Sequence, residues 1–390
     1  MGSAFLLAAV RTAGTRARKG GFKDTRPDDL AAAVIRGVVE RSGVDPQRVE
    51  DVILGCAFPE AEQGANVARI ALLRAGLPVA VPGMTVNRLC SSGLQAIAIA
   101  AERVAGGFAD CVVAGGVESM TMVPMWGSKF SPNPALNQSW PEVYASMGIT
   151  AELVAQQFLV SRADQDEFAA RSHARAAAAI DAGKFREEIV PVEVETRALV
   201  DGALASGKRV VDVDDGVRRE TTLESLARLK PVFAAKGTVT AGNCSQMTDG
   251  AAAALVVSEE FLKSLGKDPM ARLVSFAVRG VAPELMGIGP IEAIPLALKR
   301  AHVRKDDLAA IELNEAFASQ ALAVVRTLGI NPTRVNPNGG AIALGHPLGA
   351  TGAKLTTQLL HELKRTGGKH GMVSMCIGGG MGAAAVFERM

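Results

Sequence analysis

Two cysteines and a histidine stand where a side chain serves better as a reagent than as filler. Cys90 lies in Val86-Asn87-Arg88-Leu89-Cys90-Ser91-Ser92-Gly93, where an extended segment gives way to a helix. The helix dipole and free backbone N–H groups at such a junction favour a thiolate, so this thiol is expected to be more acidic than a free cysteine, whose pKa is ~8.5. On this segment alone Cys90 reads equally well as a small buried apolar side chain, the commonest fate of the residue. His346 sits between Gly345 and Pro347 in a Gly-rich run from Asn338 to Gly349. Those neighbours hold it on rigid, non-helical backbone, where a general base needs to be. Cys376 ends an apolar strand and is followed by Ile377-Gly378-Gly379-Gly380, whose unencumbered N–H groups can face an oxyanion, with Gly378 the natural donor. Asn314, in Asn314-Glu315-Ala316-Phe317, also follows a strand. Local rules favour a helix cap there; its place at a strand end in an α/β chain favours an active-site amide.

These residue types suit one chemistry in particular. A thiol nucleophile converts one thioester into another at little energetic cost, which keeps acyl transfer to another thiol reversible. Cleaving a carbon–carbon bond beside a carbonyl releases an enolate, which needs an acid nearby and hydrogen-bond donors at its oxygen. One cysteine as nucleophile, a second as acid and glycine amides as donors meet that requirement. Competing readings of the same segments are weaker. The glycine run after Cys376 lacks the helix and the downstream acid of a dinucleotide fingerprint, and no GxxxxGK[ST] occurs. The five cysteines form no CxxC pair and the five histidines show no HExxH spacing, so neither a disulfide framework nor a structural metal is expected.

Positioning these groups requires a large scaffold, and the chain has 390 residues, enough for at least two cores. Hydrophobic residues make up 48% and charged residues 21%, an ordinary globular balance. Lys+Arg 42 against Asp+Glu 40 and an aromatic content of 4% argue against nucleic acid as the main partner. No run reaches the length of a membrane span. Ala4–Val10 reads as an opening strand followed by a basic loop carrying Arg11, Arg16, Arg18 and Lys19, and a cytoplasmic, reducing setting is expected.

Apolar spacing predicts helices over Asp28–Arg41, Ser91–Val104, Ile291–Ala301 and Lys354–Arg365. Short strands are predicted at Val52–Leu54, Cys111–Ala114 (ending at Gly115-Gly116), Ala309–Leu313 and Met372–Ile377. Alternating strands and helices imply a mostly parallel, helix-covered sheet. Val44–Leu54 can be laid on Val303–Leu313, and Val86-Asn87 recurs as Val335-Asn336. Two copies of one α/β unit follow from this, one near 1–118 and one near 270–390. The stretch between them departs from the pattern: Met- and Pro-rich from Met120 to Pro141, helical through Ala151–Ala182, charged from Glu187 to Arg219. An insertion of this length is expected to be a binding segment. Thr238–Gly242 and Ala251–Val257 should return the chain to the first sheet.

Together these segments resemble the thiolase family over essentially the whole chain. The resemblance rests on Asn-Arg-Leu-Cys-Ser-Ser-Gly at 87–93, Gly-Gly-Val-Glu-Ser-Met at 115–120, Asn-Glu-Ala-Phe at 314–317, Gly-His-Pro-Leu-Gly at 345–349 and Cys-Ile-Gly-Gly-Gly-Met-Gly at 376–382. It implies an α/β thiolase fold of two βαβαβαββ halves in five αβαβα layers. Residues 1–118 plus about 239–268 would form the N-terminal half, 119–238 a coenzyme A-binding loop domain, and 269–390 the C-terminal half. By the family pattern Cys90 is acylated, His346 activates it, and Cys376 exchanges a proton with the enolate carbon. Asn314, through a water, and His346 would form one oxyanion site; the N–H groups of Cys90 and Gly378 would form the other. Ser245 matches a residue that bonds the pantetheine arm, Arg218 and Ser225 fall where the family meets the nucleotide end, and Met147 and Phe317 are placed to line the acyl or pantetheine channel.

The runs Met-Val-Pro-Met at 122–125 and Met-Gly-Ile-Gly-Pro at 286–290, with the tail Ala-Ala-Ala-Val-Phe-Glu at 383–388, resemble degradative 3-ketoacyl-CoA thiolases. The implied reaction is cleavage of 3-ketoacyl-CoA to acetyl-CoA and a shortened acyl-CoA in fatty-acid β-oxidation, with coenzyme A as co-substrate and no tightly bound cofactor. A homodimer or homotetramer is expected, with a hydratase/dehydrogenase chain as a conceivable partner in a larger complex. The nearest rival is a biosynthetic acetoacetyl-CoA thiolase. Further off are a condensing enzyme of the same superfamily, which typically has His or Asn at the place of Cys376, and a non-catalytic acyl-CoA or lipid carrier.

Overall fold

The architecture follows from how apolar residues alternate along the strands. The computed structural model describes residues 2–200 and 203–390. Its strands are β1 (Ala4–Arg11), β2 (Thr15–Arg16), β3 (Asp51–Gly55), β4 (Gly83–Val86), β5 (Cys111–Ser119), β6 (Val192–Val200), β7 (Ala203–Val211), β8 (Thr248–Ser258), β9 (Ala271–Gly280), β10 (Leu308–Leu313), β11 (His370–Ile377) and β12 (Met381–Arg389). The main sheet runs β10-β11-β12-β9-β1-β8-β5-β3-β4, with β2 beside β8 and β6–β7 as a separate hairpin.

Read outward from its centre, the sheet has two matching arms. One is β1-β8-β5-β3-β4 and the other β9-β12-β11-β10, where a single bridge from Ile311 to Val335 takes the place of β4. In each arm the two inner pairings are antiparallel and the outer ones parallel. Among the described residues the arms join through two residue pairs, Phe5↔Arg272 and Leu6↔Ala271. The proposed superposition of 44–54 on 303–313 holds in detail: a short 3-10 turn, Pro46–Arg48 or Lys305–Asp307, leads into β3 or β10.

Because successive strand residues face opposite sides, one strand feeds two cores. Val52 and Leu54 pack outward with the helices Pro27–Ser42 and Val67–Ala75, while Ile53 packs inward. In the second arm Met372 faces the helices Gly289–Ala301 and Ala318–Leu328, while Val373 faces inward. Between the two arms of the sheet lie the helices Ser92–Ala105 and Leu348–Thr366 with Leu94, Ile97, Leu355 and Leu359 in one cluster. The result is five layers, with the two central helices shared by both halves.

Those central helices touch at glycines. A Cβ on Gly352 would lie 2.3 Å from the Leu94 nitrogen, and one on Gly93 would lie 2.9 Å from the Ala353 nitrogen. Backbone cannot step aside as a flexible side chain can. Gly352→Val is therefore expected to cost at least about 2 kcal/mol through overpacking, read as a lowered urea midpoint.

Several expectations need correction. β5 does not end at Gly115-Gly116 but continues to Ser119. The glycines are there for close approach, since a Cβ on Gly115 would lie 2.1 Å from the Ala252 oxygen and one on Gly116 2.1 Å from the Gly349 oxygen. The central helix begins at Leu348 rather than Lys354. The helical stretch 151–182 is two helices, Met147–Gln157 and Arg162–Asp181. The charged stretch after Glu187 contains the β6–β7 hairpin, and Thr238–Gly242 is not a strand, although β8 does insert between β1 and β5. Arg11 is no surface loop residue. It ends β1, with its guanidinium fully buried between Glu188 (2.8 Å) and Asp214 (2.7 Å). Burial alone would disfavour that charge; the two carboxylates hold it in place and tie the inserted segment to β1.

Candidate active site

Each candidate catalytic residue sits at the end of an element belonging to the two inner layers. Cys90 lies in the 3-10 turn Leu89–Ser91 that starts helix Ser92–Ala105. Leu89 takes a positive φ of 44°, an unusual conformation for a branched residue, which marks a sharp turn just before the thiol. Cys376 and Gly378 lie at the end of β11 and in the turn that follows, and β11 packs against the Leu89–Ser91 turn. Asn314 follows β10, and its N–H donates to the Ser374 carbonyl at 2.9 Å, fastening it beside β11. His346 lies between the short helix Ala341–Leu344 and helix Leu348–Thr366. Leu348, two residues later, shares an apolar cluster with Cys90, Met120 and Ala57. Residues from four distant segments thus close on one place.

The histidine is oriented from both sides. Its Nδ1 is 2.6 Å from Thr351 Oγ1, and that hydroxyl donates to the Pro347 carbonyl at 2.8 Å. A hydroxyl has one proton, so toward the ring it accepts, which assigns the proton to Nδ1 and leaves Nε2 with a free lone pair. Asn314 Nδ2 lies 3.3 Å from Nε2 as a donor. Backbone contacts fix the loop: the His346 N–H donates to Thr248 Oγ1 at 3.0 Å, and Lys354 Nζ donates to the carbonyls of Leu344 at 3.0 Å and Gly345 at 3.1 Å. Burial, then the nearby Lys354 cation, push the His346 pKa down to about 3, so the ring is neutral at working pH. Asn314 Oδ1 is buried without a partner, an acceptor open to a water or a substrate donor.

The thiols behave differently from the sequence expectation. Cys90 is not acidified: burial pushes it up to about 11, against the N–H groups of Gly378 and of Cys90 itself, which point at the sulfur, and with Glu118 adding to the rise. The helix start does contribute donors, but desolvation outweighs them. Cys376, 1% exposed, is raised further by burial and by its closeness to Cys90. The resting site therefore holds two thiols and a neutral imidazole.

The expected binding residues divide into two groups. Met147 and Phe317 share an apolar cluster with Cys376, Met286 and Phe233, and Met147 Sδ lies 3.7 Å from where a Cβ of Gly378 would be. Ser245 is half-buried nearby, its N–H donating to the Ala316 carbonyl at 2.9 Å, and its side chain makes no hydrogen bond. Arg218 and Ser225 are exposed and are not drawn into the catalytic cluster. Arg218 is near enough to Cys244 for its charge to act on that thiol, while the Ser225 hydroxyl is engaged with Thr222 in a helix cap. A surface cavity of about 640 Å³ lies elsewhere, lined by residues including Ala8, Arg41, Glu187 and His361.

Sequence reasoning missed Thr351, Thr248 and Lys354. Thr351 had a signal, since it falls in the first turn of a helix opening just after the histidine. Thr248 is distant in sequence and had none.

Comparisons with known proteins agree with this geometry. Residues 4–260 match the thiolase N-terminal domain and residues 267–389 the thiolase C-terminal domain. The chain is 53% identical over 389 residues to a 3-ketoacyl-CoA thiolase of Bacillus subtilis, covering 100% of both chains. Among solved structures, the Bacillus anthracis acetyl-CoA acetyltransferase superposes with a TM-score of 0.91 at 40% identity, covering 100% of this chain and 99% of that one. Human mitochondrial 3-ketoacyl-CoA thiolase does so with a TM-score of 0.91 at 39% identity and the same coverage.

Proposed function

The chain belongs to the thiolase family, and from that premise we propose that it cleaves 3-ketoacyl-CoA with coenzyme A, giving acetyl-CoA and a shortened acyl-CoA. The observation that carries the reading is the convergence of Cys90, His346, Asn314 and the Cys376–Gly378 turn on one buried place.

His346 Nε2 accepts the Cys90 proton as the sulfur adds to the C3 carbonyl carbon of the substrate. The carbonyl oxygen becomes an oxyanion and is held by N–H donors. When that intermediate collapses, the carbonyl re-forms and the C2–C3 bond breaks, its electron pair leaving on C2. Cys376 gives its proton to C2, so acetyl-CoA departs and a thioester remains on Cys90. Coenzyme A then adds to that thioester, and its thiol proton restores Cys376. Collapse expels the Cys90 thiolate, which recovers its proton from His346. The proton lent to His346 returns to Cys90, and the proton that Cys376 gave to C2 is replaced by the one from coenzyme A. By the family resemblance the N–H groups of Gly378 and Cys90, which face the sulfur, are assigned to the oxygen of the thioester formed on Cys90, and His346, once protonated, with Asn314 through a water to the thioester carbonyl of the CoA substrate.

Residues 119–238 are assigned to coenzyme A binding, with Met147 and Phe317 along the pantetheine or acyl channel, Ser245 at the pantetheine arm, and Arg218 and Ser225 toward the nucleotide. A homodimer or homotetramer in the cytoplasm, acting in fatty-acid β-oxidation, completes the assignment. No helix among the described residues is long and apolar enough to cross a membrane.

The rival is a biosynthetic acetoacetyl-CoA thiolase, a reading kept open by the likeness to an acetyl-CoA acetyltransferase. The two differ in what the acyl channel admits. Cleavage rates of the isolated protein on acetoacetyl-CoA and on longer 3-ketoacyl-CoA substrates decide between them. An apolar channel gains roughly 1–3 kcal/mol per methylene, so kcat/KM is expected to rise at least about 10-fold beyond the C4 substrate. Strict preference for C4 would give the rival the better claim.

A further inference from the structure

The motif Gly115-Gly116-Val117-Glu118-Ser119-Met120 has no part in the reaction above, yet its carboxylate is buried at the centre of the site's framework. Glu118 is fully buried in β5. Its Oε2 accepts from the Ala57 N–H at 2.8 Å and the Gly349 N–H at 2.7 Å. Oε1 accepts from Gln63 Nε2 at 2.7 Å and from the Phe58 N–H at 3.4 Å, and the Cys56 sulfur lies 3.9 Å away. Four N–H donors surround it. That set fits an ionised, acceptor-only carboxylate, although burial pulls it upward from the usual carboxylate range.

The groups it holds are the supports of the two reacting residues. Ala57 also accepts from Asn87 Nδ2 at 2.9 Å through its carbonyl, and Asn87 Oδ1 accepts the Leu89 N–H at 2.8 Å, one residue before Cys90. Gly349 is three residues after His346, in the first turn of the helix that carries Thr351. The contact leaves no slack: a Cβ on Gly349 would lie 2.7 Å from Glu118 Oε2 and 2.8 Å from the Ala57 nitrogen. Glu118 itself reaches no reacting atom.

We propose that Glu118 is a positioning residue for acyl transfer, its carboxylate pinning the segment behind Cys90 to the first helical turn after His346 so that thiol and imidazole meet at a fixed separation. This rests on the reading of Cys90 as nucleophile and His346 as base. A neutral amide is a poorer holder, because the single NH2 group of Glu118→Gln must face one pair of N–H donors, either Ala57 and Gly349 or Gln63 and Phe58, and leave that pair without an acceptor.

The role predicts a pair of opposite effects. The titratable groups that act on or lie close to the Cys90 thiol are Glu118 from β5 and Cys376 from β11, and Glu118 is the one whose negative charge opposes thiolate formation. In Glu118→Gln the thiol should ionise more easily while acyl transfer becomes slower. The experiment measures cleavage kinetics and the pH dependence of Cys90 alkylation by iodoacetamide in wild type and Glu118→Gln. Expected are a fall in kcat of about 100-fold, KM within about 2-fold, and an alkylation midpoint moved to lower pH. A folded variant with unchanged kcat, or an alkylation midpoint that stays or rises, overturns the proposal. Should Glu118→Gln not fold, Gln63→Met removes one of the four donors without altering the carboxylate; it is expected to lower kcat about 10-fold at unchanged KM, and an unaltered kcat there overturns the proposal too. Mass spectrometry of the wild type after acetyl-CoA separates the two levels. Absence of an adduct on Cys90 defeats the nucleophile assignment, whereas a normal adduct with indifferent Glu118 and Gln63 variants defeats only the positioning role.

Discussion

Cys90→Ala is expected to abolish cleavage, with kcat down by about 10,000-fold or more, because no other group can form the acyl intermediate. Cys376 is not a substitute, since it sits at the end of β11 and burial keeps it protonated. Cys90→Ser should retain little, as a hydroxyl in the same dry place is far harder to deprotonate than a thiol. The companion measurement is alkylation of the wild type without substrate. With the thiol pushed up to about 11, the rate should keep rising well past pH 9 rather than level off near the ~8.5 of a free cysteine. His346, down at about 3, stays unprotonated through the neutral range, so its own titration should not set an acid limb near pH 6.5. The site thus waits with its proton on sulfur, and transfer to Nε2 accompanies the attack. Substantial cleavage by Cys90→Ala, measured as acetyl-CoA released, would remove the nucleophile from the scheme.

What could be read from the chain, and what could not, divides along a physical line. Cys90, Asn314, His346 and Cys376 each sit where a periodic segment breaks into Gly, Pro or a turn, and such breaks are local. The repeat was legible for the same reason, since Val44–Leu54 and Val303–Leu313 each encode a turn and a strand within eleven residues. The acidity of Cys90 was misjudged because the helix start is local but burial is not. The two arms of the main sheet and two central helices remove the thiol from water, and no window around residue 90 contains that fact. Glu118 and Gly349 are 231 positions apart and meet only once both halves are folded. The β6–β7 hairpin is a different case. Val192-Glu193-Val194-Glu195 alternates, with both valines buried and both glutamates exposed, so a strand signal was present beneath the charge.

The second large effect separates the two thiols. Cys376→Ala should leave Cys90 able to take an acyl group from acyl-CoA, if more slowly, because the coenzyme A thiolate can leave without first being protonated and the nucleophile, the base and the Gly378 and Cys90 amides all remain. Carbon–carbon cleavage should fall by about 1,000-fold or more, since the departing carbanion at C2 would find no proton. Pushing this thiol's pKa upward, which hinders a nucleophile, suits an acid: at neutral pH Cys376 is protonated, and its closeness to Cys90 strengthens that state whenever Cys90 bears charge. The proton is therefore held on Cys376 until the C2–C3 bond breaks and the carbanion at C2 takes it. The reverse reaction exposes the same group, as Cys376 must remove a proton from the methyl of acetyl-CoA before condensation. Exchange of that methyl with deuterated water isolates the step from all acyl chemistry. In Cys376→Ala the exchange should vanish while the Cys90 adduct persists by mass spectrometry; exchange at the wild-type rate would mean that the proton is carried by another group, with His346 Nε2 the remaining candidate.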